Sequence, residues 1–380
     1  MSQTERETVQ IALAERSYSI DITSVGLEGF PETLQIWLAN RQRSGGSRGL
    51  VVIVTDDNVR TPYADSIAAG LTHAGWNPQI VSLPPGEQSK SPRCVAQIYD
   101  RLIECQADRL TLLAAVGGGV IGDLAGFAAA TYARGIPFVQ VPTTLLAQVD
   151  SSVGGKVGIN HPRGKNLIGA FYQPVGVYID TSLLASLPPR DYRSGLAEVI
   201  KYGVILDADF FELLESNLAL INARHPPLLR QIVARCCRLK GDVVEQDEFE
   251  RSGLRAVLNY GHTFAHAFEA LCGYGELTHG EAVAIGMEYA ACLALRLGRI
   301  DERFQQRQTA LLQAVGLPVR LPADFRPGAA ELLASMRLDK KSVGGQMRFV
   351  LPTRLGHVEL TSAPEPEVED LLQSLASVTP

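Results

Sequence analysis

The sequence predicts an α/β protein in two parts: a mainly parallel sheet flanked by helices in the first half, and a mostly α-helical second half. Three observations predict this. Short, continuously apolar, β-branched runs alternate with amphipathic stretches as far as about residue 185. After Pro188-Pro189 the apolar spacing becomes helical. At 380 residues the chain also exceeds what one compact core usually holds. A composition 46% hydrophobic and 20% charged suits packed domains and excludes a disordered tail or a fibre.

In the first half the expected strands are 50–55, 79–83, 110–116, 138–142 and 175–180, with helical patterns at 61–74 and 91–105. Uninterrupted apolar strands between helices imply a sheet buried on both faces, and therefore a mainly parallel one. In the second half helical spacing covers 191–205, 209–222, 228–245, 258–272, 280–297 and 302–315, with strand signals only at 347–351 and 358–360. The expected domains are 1–187 and 188–380, with the functional site in the cleft between them. No internal repeat or low-complexity tract interrupts either.

Lys plus Arg number 35 and Asp plus Glu 41, a net charge of −6, with no basic stripe, so no nucleic-acid partner is expected. No membrane span is expected, because Glu288 breaks the most apolar stretch, 282–295, short of the roughly 20 residues a span needs. Residues 1–15 mix Glu, Arg, Gln and Thr without an apolar signal core, so the expected location is the cytoplasm. The 6 cysteines are irregularly spaced and form no Cys-x-x-Cys pair, which favours reduced, mostly buried thiols.

Polar elements recur at the carboxyl ends of the strands. Gly117-Gly118-Gly119-Val120-Ile121-Gly122-Asp123 follows one strand and opens a helix, where close backbone approach and unpaired N–H groups suit a pyrophosphate. Pro142-Thr143-Thr144 ends the next strand; Asp56 and Asn58 end the 50–55 strand, where a carboxylate suits ribose hydroxyls; Glu87 and Lys90 follow the strand after that. Four such elements favour a bound dinucleotide, although the spacing is not that of the common GxGxxG turn.

The second half carries a different chemistry. His262 and His266 share one helix face, His279 opens the next helical run, and Glu198 stands in an otherwise apolar helical stretch. Three of the chain's 7 histidines with an isolated carboxylate favour a zinc site of mixed nitrogen and oxygen ligands, three of which would leave positions open for substrate. A third group is cationic or amide-bearing: Arg134, Asp150, Lys156, Lys165, Asn166, Lys201, Lys240, Arg255, Asn259, Lys340 and Lys341. In an acidic chain, such residues beside glycine-rich turns point to a strongly anionic substrate. The run Asp150-Ser151-Ser152-Val153-Gly154-Gly155-Lys156 suits close phosphate approach.

Taken together, GGGVIGD, ATYARG, PTTLLAQVDSSVGGK, GKNLIGAF, SGLAEVIKYG, LNYGHTFAHAFE, HGEAVAIGM and LDKK resemble the dehydroquinate synthases of the sugar-phosphate cyclase superfamily, from about Val51 to Leu360. The resemblance implies a nucleotide-binding α/β domain followed by a helical metal- and substrate-binding domain. It implies conversion of 3-deoxy-D-arabino-heptulosonate 7-phosphate to 3-dehydroquinate and phosphate in the shikimate pathway. NAD and Zn2+ (or Co2+) are the implied cofactors. The implied course is transient oxidation at carbon 5, phosphate elimination, reduction, ring opening and intramolecular aldol closure.

Residue by residue, the resemblance implies Glu198, His262 and His279 as metal ligands and His266 as a non-ligand proton-transfer and phosphate-contacting group. The implied nucleotide positions are Asp56, Asn58, Glu87, Lys90, Gly118, Gly119, Val120, Asp123, Thr143, Thr144, Lys156, Lys165, Leu183 and Ser186. The implied substrate positions are Arg134, Asp150, Lys156, Asn166, Lys201, Lys240, Arg255, Asn259, His266 and one of Lys340 and Lys341. Lys156, Lys201, Arg255 and Asn259 join His266 as the catalytic set. The counterpart of Arg134 reaches into a neighbouring subunit, which implies a homodimer. Two departures stand out: Ala265 replaces a common glycine, and the segment 240–255 is one residue longer than usual. The rival readings are a sister cyclase with another substrate, disfavoured by the retained Lys240, Arg255 and Asn259, and a metal-dependent polyol dehydrogenase. A non-catalytic scaffold would leave the ligand set unexplained.

Overall fold

The computed structural model describes residues 6–40, 49–272, 276–322, 325, 327–339 and 347–377. By internal contacts the chain forms two compact units, Met1–Leu187 with Pro226–Phe249 and Pro188–His225 with Glu250–Pro380.

The first unit holds strands β1 (Arg6–Ile11), β2 (Tyr18–Thr23), β3 (Leu50–Asp56), β4 (Asn77–Leu83), β5 (Leu112–Gly117), β6 (Phe138–Pro142), β7 (Lys156–His161), β8 (Gly164–Phe171) and β9 (Gly176–Asp180). Seven of them form one sheet in the order β1-β2-β9-β6-β5-β3-β4, parallel except for the β1–β2 pairing. Its helices are α1 (Phe30–Asn40), α2 (Asp65–His73), α3 (Pro92–Glu104) and α4 (Gly119–Thr131). Side chains alternate across the strands: Val52, Val54 and Leu113 join the core containing Ile98 and Leu124, whereas Val51, Ile53 and Leu112 join that containing Phe30, Leu34 and Leu71. The sheet is thus covered on both faces. The chain runs outward from β3 to β4 and then returns to the other side of β3 with β5, so the switch in direction lies between β3 and β5.

All five strands expected in this half are present. The sequence pattern does not reveal β1, β2 and the separate β7–β8 hairpin. β2 hides because it buries a charge. Asp21 is 4% exposed and accepts hydrogen bonds from Thr8 Oγ1 (2.7 Å), Arg6 Nε (3.1 Å) and Trp37 Nε1 (2.9 Å).

In the second unit α5 (Pro189–Leu206), α6 (Ala208–Ser216) and α7 (Leu218–Asn222) come first. The pattern at 209–222 suggests one helix, but Asn217 leaves helical geometry and splits it into α6 and α7. Next in the chain, α8 (Pro226–Gln246) belongs to the first unit. It lies against β1 and β2, with Arg230 bonded to Glu7 (3.3 Å) and Ser24 (3.0 Å), and Glu245 accepting from Ala12 N (2.9 Å). The second domain expected as a continuous 188–380 is therefore interrupted, because the apolar stripe of α8 is buried by the outer strands of the sheet. The second unit resumes with α9 (His262–Cys272), α10 (His279–Arg296), α11 (Glu302–Ala314), α12 (Ala329–Asp339), the hairpin β10 (Arg348–Arg354) and β11 (His357–Ser362), and α13 (Glu365–Ser377).

Two glycines set the distances between α5, α9 and α10. A Cβ on Gly280 would stand 2.0 Å from Ser194 O on α5, and one on Gly286 would stand 2.2 Å from Gly261 O, just before α9. The start of α10 is capped reciprocally by Thr278 and Glu281. Glu281 is also gripped in bidentate fashion by Arg190 of α5 at 2.8 and 2.7 Å. Gly280→Ala is expected to lower stability by about 1–3 kcal/mol or more through overpacking. Gly328→Ala, where the nearest atom is a side-chain oxygen at 3.7 Å, is the control and should change stability by less than about 0.5 kcal/mol. Denaturant unfolding of the two variants checks this.

Candidate active site

Glu198 on α5 is fully buried, and its Oε1 faces two imidazoles: His262 Nε2 at 3.5 Å and His279 Nε2 at 3.6 Å. One donor atom from each of Glu198, His262 and His279 lies within 4.8 Å of the others, close enough to share one metal ion. The other Glu198 oxygen pairs with Lys201, one turn along α5 and 2% exposed.

The remaining ring nitrogens are held from behind. His262 Nδ1 lies 3.0 Å from Tyr260 O, and as a donor there it leaves the Nε2 lone pair free for a metal. Tyr260 is itself anchored, its hydroxyl donating to Gln308 Oε1 (2.8 Å) and lying 3.2 Å from Met287 O. His279 Nδ1 faces the Glu269 carboxylate at 3.6 Å. Mixed N/O donors backed by a carbonyl and a carboxylate fit a zinc-type ion.

The two imidazoles differ electrostatically. Burial drives His262 down to about 3, helped by the Lys201 charge. Burial also opposes a charge on His279, but hydrogen bonding to Glu198 and Glu269 overcomes it and lifts that ring to about 10. His266 sits one turn beyond His262, ring centroids 5.6 Å apart, and is not among the three converging donors. Sequence reasoning misses Glu269. The available signal is its spacing, two turns after His262 on the same face of an otherwise apolar helix.

In the first unit the anticipated polar residues gather at the carboxyl ends of the parallel strands. Asp56 ends β3, accepts from Asn58 N (2.9 Å), and is lifted above the usual carboxylate range by burial. Glu87 and Lys90 lie in the short turn after β4. Gly118 precedes α4, whose first turn begins at Gly119 and Val120, and Thr143 N donates to Gly117 O (3.0 Å) across the ends of β5 and β6. Thr144 Oγ1 accepts from Ala147 N (3.2 Å) in the next turn. After β9, Leu183 and Ser186 meet Tyr63, whose hydroxyl contacts Leu183 O (3.3 Å) and Ser186 Oγ. These ends flank the switch between β3 and β5, the usual ligand crevice of such sheets.

A second polar group joins this end. Lys90, 5% exposed, bonds Asp123 Oδ2 and Asn166 Oδ1, each at 2.5 Å. Burial lifts the Asp123 carboxyl despite Lys90. Lys240 on α8 reaches Asp150, bonding its carbonyl (2.7 Å) and Oδ1 (2.8 Å), so the longer 240–255 segment leaves this lysine aimed within the first unit. Lys156 opens β7 and is exposed; Lys165 and Asn166 lie in β8. Arg134 is exposed, and it and Ala133 both adopt positive φ (67° and 48°) after α4. In the second unit Arg255 is buried in the turn Leu254–Asn259 and Asn259 is exposed at its end. Lys340 and Lys341 lie outside the described residues.

The fold that carries this arrangement is that of the sugar-phosphate cyclases. A 2-deoxy-scyllo-inosose synthase complexed with carbaglucose-6-phosphate, NAD+ and Co2+ superimposes with a TM-score of 0.85 at 28% identity, covering 97% of this chain and 100% of that one. A 2-epi-5-epi-valiolone synthase from Streptomyces hygroscopicus with NAD+ and Zn2+ bound also gives 0.85 at 28% identity, over 96% and 98% of the two chains. Within that class the sequence is more specific. The profile of the 3-dehydroquinate synthase N-terminal region matches residues 80–194, and that of the C-terminal region matches 195–342. The 3-dehydroquinate synthase of Synechococcus sp. is 48% identical over 372 residues, 97% of this chain and 99% of the relative. The chain belongs to the 3-dehydroquinate synthase family.

Purified His262→Ala is expected to lose zinc on dialysis, with a larger drop in affinity than the roughly 10–100-fold typical of losing an outer partner. Glu269→Gln should fall within that 10–100-fold range, and His266→Ala should retain zinc. Metal analysis with chelator competition reads all three, and zinc loss from the His266 variant would make that residue a ligand.

Proposed function

We infer that the chain converts 3-deoxy-D-arabino-heptulosonate 7-phosphate to 3-dehydroquinate and inorganic phosphate, as a phosphorus–oxygen lyase. The observation that carries this reading is 48% identity along nearly the whole chain to a 3-dehydroquinate synthase. The converging donors Glu198, His262 and His279 support it. So do the structural relatives described with NAD+ and with Co2+ or Zn2+.

Glu198, His262 and His279 would hold a divalent zinc or cobalt ion, which would supply polarisation of a substrate hydroxyl, and bound NAD would supply a transient hydride acceptor. The chain's own residues do the rest. Backbone N–H groups of Gly118, Gly119 and Val120 at the start of α4 receive the pyrophosphate. Asp56 and Asn58 take ribose hydroxyls, and Glu87, Lys90, Asp123, Thr143, Thr144, Lys165, Leu183 and Ser186 complete the nucleotide pocket. Lys240 and Arg255 bind the substrate carboxylate, with Asp150 orienting Lys240. Lys156, Asn166, Asn259, His266 and the Lys340-Lys341 pair hold the phosphate dianion. His266 moves the proton as phosphate leaves, while Lys201 pairs with Glu198 and orients it. We further propose a cytoplasmic homodimer in which Arg134 completes the site of the partner protomer. The family resemblance supports this, and among the described residues no helix is long and apolar enough to cross a membrane.

The decisive assay follows phosphate release and NADH absorbance together, with NAD and zinc supplied. Stoichiometric phosphate, a carbocyclic product and no net NADH are expected. Net NADH without phosphate would indicate a polyol dehydrogenase, and no phosphate under any metal loading would indicate a sister cyclase. Chelation should abolish turnover and added Zn2+ or Co2+ should restore it. Arg255→Leu removes a charge-assisted contact worth about 1.5–3 kcal/mol, so kcat/KM should fall roughly 10–100-fold. Mixing Arg134→Ala with His266→Ala protomers should restore activity that neither variant has alone; no restoration would overturn the shared site.

A further inference from the structure

Asn160 links the Glu87–Lys90 turn to Asn166, and nothing so far gives it a role. It lies on β7 opposite an irregular stretch of β8: Ile159 pairs with Ile168 and His161 with Gly164, leaving residues 165–167 bulged across from it. Its backbone N–H donates to Lys90 O at 2.8 Å. Its side-chain Nδ2 donates to Glu87 Oε1 at 2.6 Å, and its Oδ1 accepts from Asn166 N at 2.9 Å.

Asn166 holds a left-handed backbone, φ 57°, and its own Oδ1 accepts from Lys90 Nζ, which also bonds Asp123. The contacts close a ring: turn 87–90 to Asn160, Asn160 to the backbone of Asn166, and the side chain of Asn166 back to Lys90. A rigid planar amide with one donor arm and one acceptor arm suits this junction. Turning it to follow Glu87 withdraws the acceptor that supports Asn166. An aspartate would put a second carboxylate against Glu87, and an alanine would leave both neighbours without this contact.

We propose that Asn160 is a positioning residue that couples nucleotide binding at the Glu87–Lys90 turn to substrate-phosphate binding at Asn166. The inference rests on the functional reading above and deepens it. Nucleotide seated on Glu87 and Lys90 fixes the Asn160 amide, which holds Asn166 in the conformation that meets the phosphate. Linkage requires the reverse as well: substrate bound at Asn166 tightens NAD.

The test measures NAD affinity calorimetrically with and without a saturating carbocyclic phosphonate analogue of the heptulosonate phosphate. In such an analogue a C–P bond replaces the ester bond that elimination must break. In the wild-type protein each ligand should tighten the other by about fivefold or more. In Asn160→Ala the coupling should fall below about twofold, while NAD affinity measured alone changes by less than about threefold. Asn160→Asp, which keeps the acceptor for Asn166 N and loses the donor to Glu87, should lose the coupling too and serves if the alanine variant does not fold.

Wild-type-like coupling in either folded variant overturns the inference, as does a uniform loss of both affinities with their ratio intact, the mark of a merely structural role. Wild-type protein that binds both ligands without coupling also overturns it. Wild-type protein that binds neither NAD nor the analogue would instead overturn the functional reading on which it rests.

Discussion

The second unit depends on a contact made without side chains. At Gly280 the backbone of α10 runs against Ser194 O of α5, and at Gly286 it runs against the Gly261 carbonyl before α9. A side chain at either glycine would push a helix away. Glu198, His262 and His279 belong to these three helices, and the two histidines are the first residues of theirs. The donor set therefore follows from helix spacing. The Arg190–Glu281 clamp and the Thr278 cap hold the same spacing electrostatically.

A fully buried carboxylate is costly unless charge and hydrogen bonding compensate it. Lys201 supplies one compensation from the same helix, and His279 supplies another when it carries a proton. His262, pushed the other way by burial and Lys201, is the neutral member. A buried carboxylate faced by two imidazoles, one of them neutral, is a donor set suited to a divalent cation, whose binding would compete with a proton on His279.

Most of this organisation was legible in the sequence because it is written in local signals. The five apolar strands, the glycine-opened α4, the paired histidines on one helix face and the isolated Glu198 each announce themselves within a few residues. What was not legible depends on distant partners. β2 carries a buried Asp21 that Arg6, Thr8 and Trp37, brought from elsewhere in the chain, help make tolerable. Glu269 and Asn160 look like ordinary polar residues until His279 and the Glu87–Lys90 turn are brought beside them. The amphipathic pattern of α8 declares a helix but not the unit that buries it.

The late place of α8 in the chain bears on how the polypeptide is made. The chain passes from one unit to the other at Leu187–Pro188, at His225–Pro226 and at Phe249–Glu250. No contiguous fragment therefore contains one whole unit without part of the other. A ribosome-bound chain that has emerged as far as residue 187 has every strand of the sheet, yet the surface of β1 and β2 that α8 covers stays bare until about sixty more residues follow. A cut that lifts out either unit in one piece must therefore carry a segment of the other with it, residues 188–225 with the first or 226–249 with the second.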